Sequence, residues 1–250
     1  MKISIITVVY NNEATIQQAM ESVLNQTYSD IEYVIIDGNS KDNTVSIIET
    51  YKNRLGYFTS ERDQGLYDAM NKGIQAATGD VIGILNSDDL YQDSTVIADI
   101  VNQFNLDPDL DIVYGNLVYV KKDAVNQVVR NWKSKDYYGK FFDDGNVPPH
   151  PCLFLKREVY QKVGLFDLEF KLAADYEFMF RVFKKHHFKS KYINRLIVKM
   201  RLGGETNKSI RNIINQNKEI IQAWRQNGVN PPLQLMPFRI SKRLGQFIKR

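Results

Sequence analysis

The sequence predicts an α/β fold, a mostly parallel sheet with helices on both faces. Two observations predict it. Short, continuous apolar runs alternate with helix-period segments through the first hundred residues. Each main run is closed by Asn or Asp, at Asn11, Asp37 and Asn86.

Taken in order, "ISIITVV" (Ile3–Val9) is apolar enough to be buried on two faces, as a strand inside a parallel sheet must be. Ile16, Ala19, Met20 and Val23 then fall at helical spacing. "IEYVII" (Ile31–Ile36) reads as a second strand and "DGNSKDNT" as its turn; Val45, Ile48 and Tyr51, with Asp42 as N-cap, suggest a second helix. "GYFTS" is a weaker third strand, and Asp68 to Ala77 a third helix. "GDVIGIL" (Gly79–Leu85) is the next strand, followed by a helix from about Asp93 to Phe104.

After "NLDPDLD" the rhythm changes. "IVYGNLVYV" and "NQVVRNW" read as strands of an antiparallel extension, and "DDGNVPPHP" (Asp143–Pro151) as a loop. A helix near Arg157–Val163, the periodic "LAADYEFMFRVFKK" and the strand-like "KYINRLIVKM" follow. Beyond "RLGGETN" the chain looks helical, with a break at "NPP". There is no internal repeat and no low-complexity tract.

Composition narrows the class. The 250 residues, 43% hydrophobic and 25% charged, are ordinary for a globular chain that buries a substantial core. Cys152 is the single cysteine, so no intramolecular disulfide can form, which suits a reducing compartment. "MKISIITVVYNN" has one lysine and no small-residue cleavage site, unlike a signal peptide. No stretch approaches the ~18 apolar residues of a membrane span. The net charge of +4 is uneven: residues 231–250 hold five basic groups and no acid, which leaves 28 basic against 29 acidic before them. A near-neutral globule with a basic tail offers no broad surface for nucleic acid.

"ILNSDDLY" sets two carboxylates side by side at the end of a strand. Adjacent like charges raise each other's pKa, so the pair either sits on a solvated turn or holds something positive. In open parallel sheets the ligand crevice lies beyond the carboxyl ends of the strands, and strand alternation alone puts Asn11, Asp37, Asn86 and Asp88 at that edge. A hard divalent cation takes one or two carboxylates plus substrate phosphates, a place Asp88 suits. Asp37 suits a ring N–H of a base. Turn chemistry is the plain alternative for each acid, above all for Asp89 ahead of a predicted helix.

The order and spacing of "SIITVVYNN", "VIIDGNSKDNT", "SERDQGLYDAMNKGIQAATGD", "GILNSDD" and "HPCLFLKREVYQKVGLFDLEFKLAADYEFMFRV" resemble a family 2 glycosyltransferase of GT-A fold. Within that family they are similar to the non-processive bacterial branch that builds capsule, exopolysaccharide or O-antigen. The resemblance covers roughly residues 1–205. It implies a catalytic domain there, with a nucleotide-sugar-binding half (1–105) and an acceptor-binding half (106–205), and a helical basic extension at 206–250. It implies that Val9, Tyr10, Asn11, Asp37, Asn71, Asn86 and Ser87 bind the nucleotide sugar, with Asp37 reading the base. Asn86 and Asp88 take the first and last places of the DxD motif, where Asn replaces the usual first acid and Asp88 ligates Mn²⁺ or Mg²⁺. Asp175, in "AADYE", matches the catalytic base of the "ED"-type motif, with Ala174 in place of the first acid. The family's Ala-Arg-Asn is Ala69-Met70-Asn71 here, so the usual arginine is missing; the Q-x-x-R-W of processive synthases is absent too. The implied partners are a nucleotide-diphosphate sugar and a glycan or lipid-linked saccharide acceptor.

The chemistry implied is inverting transfer. A divalent cation stabilises the charge that develops on the leaving nucleoside diphosphate, and a general base takes the proton of the acceptor hydroxyl. His150, in its Pro-flanked loop, is a candidate acceptor or metal contact, with a solvated loop histidine as the alternative. His186 and His187 follow a basic helix end and suit its C-terminus. "RLGGETN" reads as a turn before the last helices or as a loop over the diphosphate. Phe178, Phe180 and Phe183 read as core and groove lining, and Cys152 as inert. A receiver domain would carry its acid pair after the first strand, where Asn11-Asn12 stands, and a nucleotidyltransferase would begin with a Gly-rich basic loop that "TVVYNNEAT" lacks. A binding-only module is the remaining rival. Ile240, Leu244, Phe247 and Ile248 recur at helical spacing among Arg239, Lys242, Arg243, Lys249 and Arg250, so the tail is expected to touch an anionic membrane surface or to pack on its own domain.

Overall fold

The computed structural model describes residues 1–203 and 209–248 of the chain. The predicted parallel strands form as β1 (Ile3–Val9), β2 (Ile31–Asp37), β3 (Tyr57–Ser60) and β4 (Val81–Ile84). β1 is buried at all seven positions, Ser4 and Thr7 included. It pairs in parallel with β2, Ile3 opposite Ile31 and Val9 opposite Asp37, and with β4, Ile6 opposite Ile84.

The sheet continues with strands from later in the chain: β5 (Leu90–Tyr91), β6 (Ile112–Lys121), β7 (Ala124–Trp132), β8 (Leu153–Lys156) and β9 (Ser190–Arg201). Their order is β3-β2-β1-β4-β8-β6-β9-β5, with β7 paired to β6. β8 runs antiparallel to both β4 and β6, so β6 points the same way as β1 to β4. β6 and β9 are parallel, and β6 and β7 form the expected antiparallel hairpin. β8 was not anticipated. Its "LFLK" is too short and too uniformly apolar to show a period, and the neighbours β4 and β6 turn it into a central strand.

Side chains alternate between the two faces, and helices cover both. On one face Ile5, Tyr33, Ile35 and Val113 pack with α1 (Ile16–Leu24), α2 (Thr44–Glu49) and α4 (Val96–Leu106). On the other Ile6, Val34, Ile36, Ile82 and Tyr114 pack with α3 (Leu66–Ala76), α5 (Arg157–Val163), α6 (Ala174–Phe180) and α7 (Ile210–Gln226). α3 lies so close to β1 that a Cβ on Gly73 would stand 2.4 Å from Ile6 Cγ2. Some boundaries move from the sequence reading. α2 starts at Thr44, with Asp42 accepting from the Thr44 N–H at 3.0 Å, and α4 starts at Val96, after Asp93 bonds the Thr95 N–H. α6 is followed by a π turn over Arg181–Lys185.

The C-terminal helices are part of the main core. Ile220, Ala223 and Trp224 of α7 are fully buried in the cluster that holds Ile6 and Ile82. Trp224 packs on Phe180 at 4.8 Å, and its Nε1 donates to Tyr176 Oη at 2.8 Å. α8 (Leu235–Ile248) buries Leu235, lays Arg239 over the Tyr176 ring at 4.9 Å, and donates from Lys242 Nζ to Asn146 Oδ1 at 2.7 Å. Arg239 and Lys242 therefore face their own domain, the packing alternative for these two positions of the tail. Leu233, Phe238 and Ile240 stay exposed at 99%, 40% and 56%. The side chains of Leu244, Phe247 and Ile248, and the Gly204 to Lys208 part of "RLGGETNK", lie outside the described residues. Among the described residues no helix is long and apolar enough to cross a membrane.

Candidate active site

The register brings the predicted residues to one edge. Because Val9 stands opposite Asp37, and Ile6 opposite Ile84, the chain segments carrying Tyr10–Asn11, Asp37–Gly38 and Asn86–Asp88 leave the sheet side by side. The Gly38 N–H donates to the Val9 carbonyl at 2.9 Å and ties the first two segments. Asp37 is fully buried. Its Oδ1 accepts from Ser40 Oγ at 2.5 Å, and its Oδ2 accepts from the Ser40 N–H at 3.0 Å and from Ser60 Oγ at 2.6 Å. Three donors fix the orientation of this carboxylate and satisfy a charge that burial would otherwise penalise.

Around it, Asn11 adopts a left-handed conformation (φ 47°), and its Oδ1 accepts from the Lys41 N–H at 2.7 Å, which spans the ends of β1 and β2. Tyr10 stands 62% exposed beside Gly38. A Cβ at Gly38 would meet Asp63 Oδ2 at 2.4 Å, so only glycine lets the Asp63 carboxylate lie there. Ser87 is held from below, its Oγ by Asn12 Nδ2 at 2.9 Å and its carbonyl by Thr15 Oγ1 at 3.0 Å.

The adjacent acids divide into two environments. Asp89 is fully buried, accepting from Asn86 Nδ2 at 2.9 Å and from the Arg201 N–H at 3.2 Å. Burial, and then the neighbouring Asp88, push its pKa well above the usual range. Asp88 is half-buried, and no other described side chain hydrogen-bonds its carboxylate. Burial pushes its pKa up as well, opposed by its own main-chain N–H and then by Arg201 and Lys122. Arg201 is the compensating cation: it bonds the Asp88 carbonyl at 2.5 Å, the Lys122 carbonyl at 3.1 Å and Gln18 Oε1. Sequence reading missed Arg201 because it lies 113 residues from Asp88, and only the β9 path past β5 brings them together. It missed Asp63 too, although the Asp-x-Gly spacing, with Asp63 Oδ1 accepting from the Gly65 N–H at 2.8 Å, was a readable turn signal.

A second cluster forms where α3 meets α6. Asp175 sits in the first turn of α6, and its Oδ1 accepts from Tyr67 Oη at 3.1 Å. Burial, then Asp175, hold the Tyr67 phenol well above its ordinary pKa. His150 is turned inward against the Phe166 ring (5.9 Å), lining a cavity of about 10 Å³ with Tyr160, Phe178 and Met179. Burial lowers its pKa, and Asp175 acts in the opposite sense, so it is not a solvated loop histidine. Asn71 commits its amide to the main chain of Phe166, donating to the carbonyl and accepting from the N–H, both at 2.9 Å. That double bond leaves one amide N–H and marks Asn71 as a brace between α3 and the segment before α6. Cys152 is buried with its thiol pKa pushed well up, hence inert.

A single carboxylate fits a cation whose other ligands are phosphate oxygens and water. Asp88 has that character, since burial penalises its charge and no other described side chain hydrogen-bonds it. Among the described residues no set of three or more His, Cys, Asp or Glu could hold a metal without such help.

Residues 4–164 match the family model described as glycosyl transferase family 2. The chain belongs to that family. It is a glycosyltransferase, 33% identical over 182 residues to an uncharacterized glycosyltransferase of Mycobacterium tuberculosis, an alignment covering 72% of this chain and 68% of the relative. A PGL/p-HBAD biosynthesis glycosyltransferase of Mycobacterium bovis is 26% identical over 197 residues, 78% of this chain and 74% of the relative. Among solved structures, Staphylococcus aureus TarS with UDP-GlcNAc superposes with TM-score 0.69 at 16% identity, over 98% of this chain and 72% of that one. The mannosyltransferase PcManGT of Pyrobaculum calidifontis, with GDP-Man and Mn²⁺, gives TM-score 0.67 at 17% identity, over 96% and 68%. The chain spans 44% of the longer TarS structure (TM-score 0.63, 17% identity). These likenesses show the GT-A fold.

Proposed function

We propose that this glycosyltransferase moves a sugar, with inversion, from a nucleotide-diphosphate sugar to a hydroxyl of a glycan acceptor in surface-polysaccharide synthesis. The observation that carries the reading is the pairing, along one sheet edge, of a donor-side carboxylate fixed by three hydrogen bonds, Asp37, with one that no other described side chain hydrogen-bonds, Asp88. Asp37 is suited to accept a ring N–H of the donor base, with exposed Tyr10 beside it. Asp88, through Mn²⁺ or Mg²⁺, would hold the diphosphate; the cation supplies charge stabilisation to the leaving group.

Asp175 takes the proton of the acceptor hydroxyl. The acceptor oxygen forms the new bond to the anomeric carbon as the bond to the diphosphate breaks, and the electron pair leaves with the nucleoside diphosphate. A single displacement inverts the anomeric centre. The exposed Leu233, Phe238 and Ile240 beside a basic tail suit an acceptor anchored in an anionic membrane.

The test is donor turnover with Mn²⁺ across a panel of nucleotide sugars, wild type against Asp175→Asn. Asp175→Asn is expected to lower transfer by a factor on the order of 10² or more while leaving donor affinity in place. Wild-type turnover in that variant rules the base assignment out, and absence of any donor consumption by the wild type leaves only a binding module.

A further inference from the structure

We infer that Tyr67 is the positioning residue of Asp175, and that Asp175 Oδ2 is the atom that receives the acceptor proton. The inference rests on the reading of Asp175 as the general base. Tyr67 is on α3 and Asp175 on α6, 108 residues apart, yet the phenol donates to Oδ1 at 3.1 Å. The Asp175 main-chain N–H, at the start of α6, faces the same phenol oxygen. Among the described residues no hydrogen bond reaches Oδ2. One oxygen is therefore held and the other is left for substrate.

The surroundings make Tyr67 a fixed donor. Its ring packs on Phe166 at 5.7 Å. One helical turn further along α3, Asn71 grips the main chain of the same Phe166 with two hydrogen bonds. Positions four apart share a helix face, so Tyr67 and Asn71 clamp one segment between them. Burial and the Asp175 charge keep the phenol protonated far above neutral pH, so it stays a donor and moves no proton itself. The other titratable groups facing the pair are His150, whose imidazole burial favours as neutral, and Glu219 of α7. Glu219 is itself committed to the N–H groups of Lys171, Leu172 and Ala173, at 3.2, 2.8 and 2.8 Å.

A donor to a carboxylate favours its ionised form, so removing it makes the base harder to ionise. Tyr67→Phe keeps the ring against Phe166 and removes only the hydroxyl. The expected result is a fall in kcat of about tenfold or more, an unchanged donor Kd, and an acid limb of the kcat/KM profile displaced to higher pH. In the Asp175→Asn background the same change should cost nothing further, because its effect runs through the carboxylate. Site-specific 3,5-difluorotyrosine at position 67, a stronger donor of nearly the same shape, should move the limb to lower pH and serves if the Phe variant does not fold. An acid limb unmoved by either replacement, with Asp175→Asn inactive, overturns the role of Tyr67 and spares the base. Equal slowing by Tyr67→Phe in both backgrounds overturns it as well, since a general structural defect would do that. Full activity of Asp175→Asn overturns the base reading and this inference with it.

Discussion

Replacing each of the two adjacent acids should give opposite results for stability and for metal-dependent binding. Asp89 is fully buried and accepts from Asn86 Nδ2 and the Arg201 N–H. Asp89→Ala removes both bonds and leaves the Arg201 main chain and the Asn86 amide without their acceptor. Hydrogen bonds to charged groups are each worth about 1.5–3 kcal/mol, and water can refill part of the space, so a loss of about 3 kcal/mol is expected. At roughly 2–4 °C per kcal/mol for a chain of this size, the melting temperature falls by about 6–12 °C. Asp88→Asn removes a charge that burial opposes and that no other described side chain bonds, so stability without metal changes by less than about 1 kcal/mol. Thermal unfolding with Mn²⁺ and a nucleoside diphosphate at a hundredfold excess over Kd then separates the two. A true ligand stabilises by about 2.7 kcal/mol under those conditions. The increment should vanish in Asp88→Asn and persist in Asp89→Ala. Equal destabilisation by both variants, or a full Mn²⁺-dependent increment in Asp88→Asn, refutes the division of labour.

Burial of Glu32 opposes its ionisation, but Lys2, Ser4 and Thr78 outweigh it and hold its pKa at about 2. A lowered folded pKa makes this contribution complete above pH ~4.5 and lost as pH falls towards ~2; with Lys2 at the solvent it is worth on the order of 2 kcal/mol, which acid titration of Glu32→Gln against wild type should show as a missing slope in that window. Glu219→Ala uncaps the segment ahead of α6, so stability should fall by about 1–3 kcal/mol and kcat should fall with donor affinity unchanged, measured by unfolding and by initial rates. Liposome flotation on anionic vesicles at low salt should carry the full chain and lose it on Leu233→Ser with Phe238→Ser and Ile240→Ser, and equal flotation of both would assign these side chains no membrane role.

The sequence by itself determined the sheet edge. The apolar runs Ile3–Val9 and Ile31–Ile36, alternating with helix-period segments, point to a parallel sheet, and that topology sends Asn11, Asp37 and Asn86 to one end. It also supplied α5, near Arg157–Val163, and β9, along "KYINRLIVKM". The tertiary structure alone decided which of the two carboxylates a distant residue bonds. "Asp-Asp" reads the same for both, and the difference comes from Arg201, which crosses from β9 after more than a hundred residues of chain. It decided that Asn71 braces Phe166, that Tyr67 reaches Asp175, and that α7 and α8 belong to the core through Trp224, Leu235 and Arg239. A periodic pattern reports which face of an element is apolar. It cannot report which distant backbone will meet that face, and hydrogen bonds between elements exist only after the packing has chosen the partners.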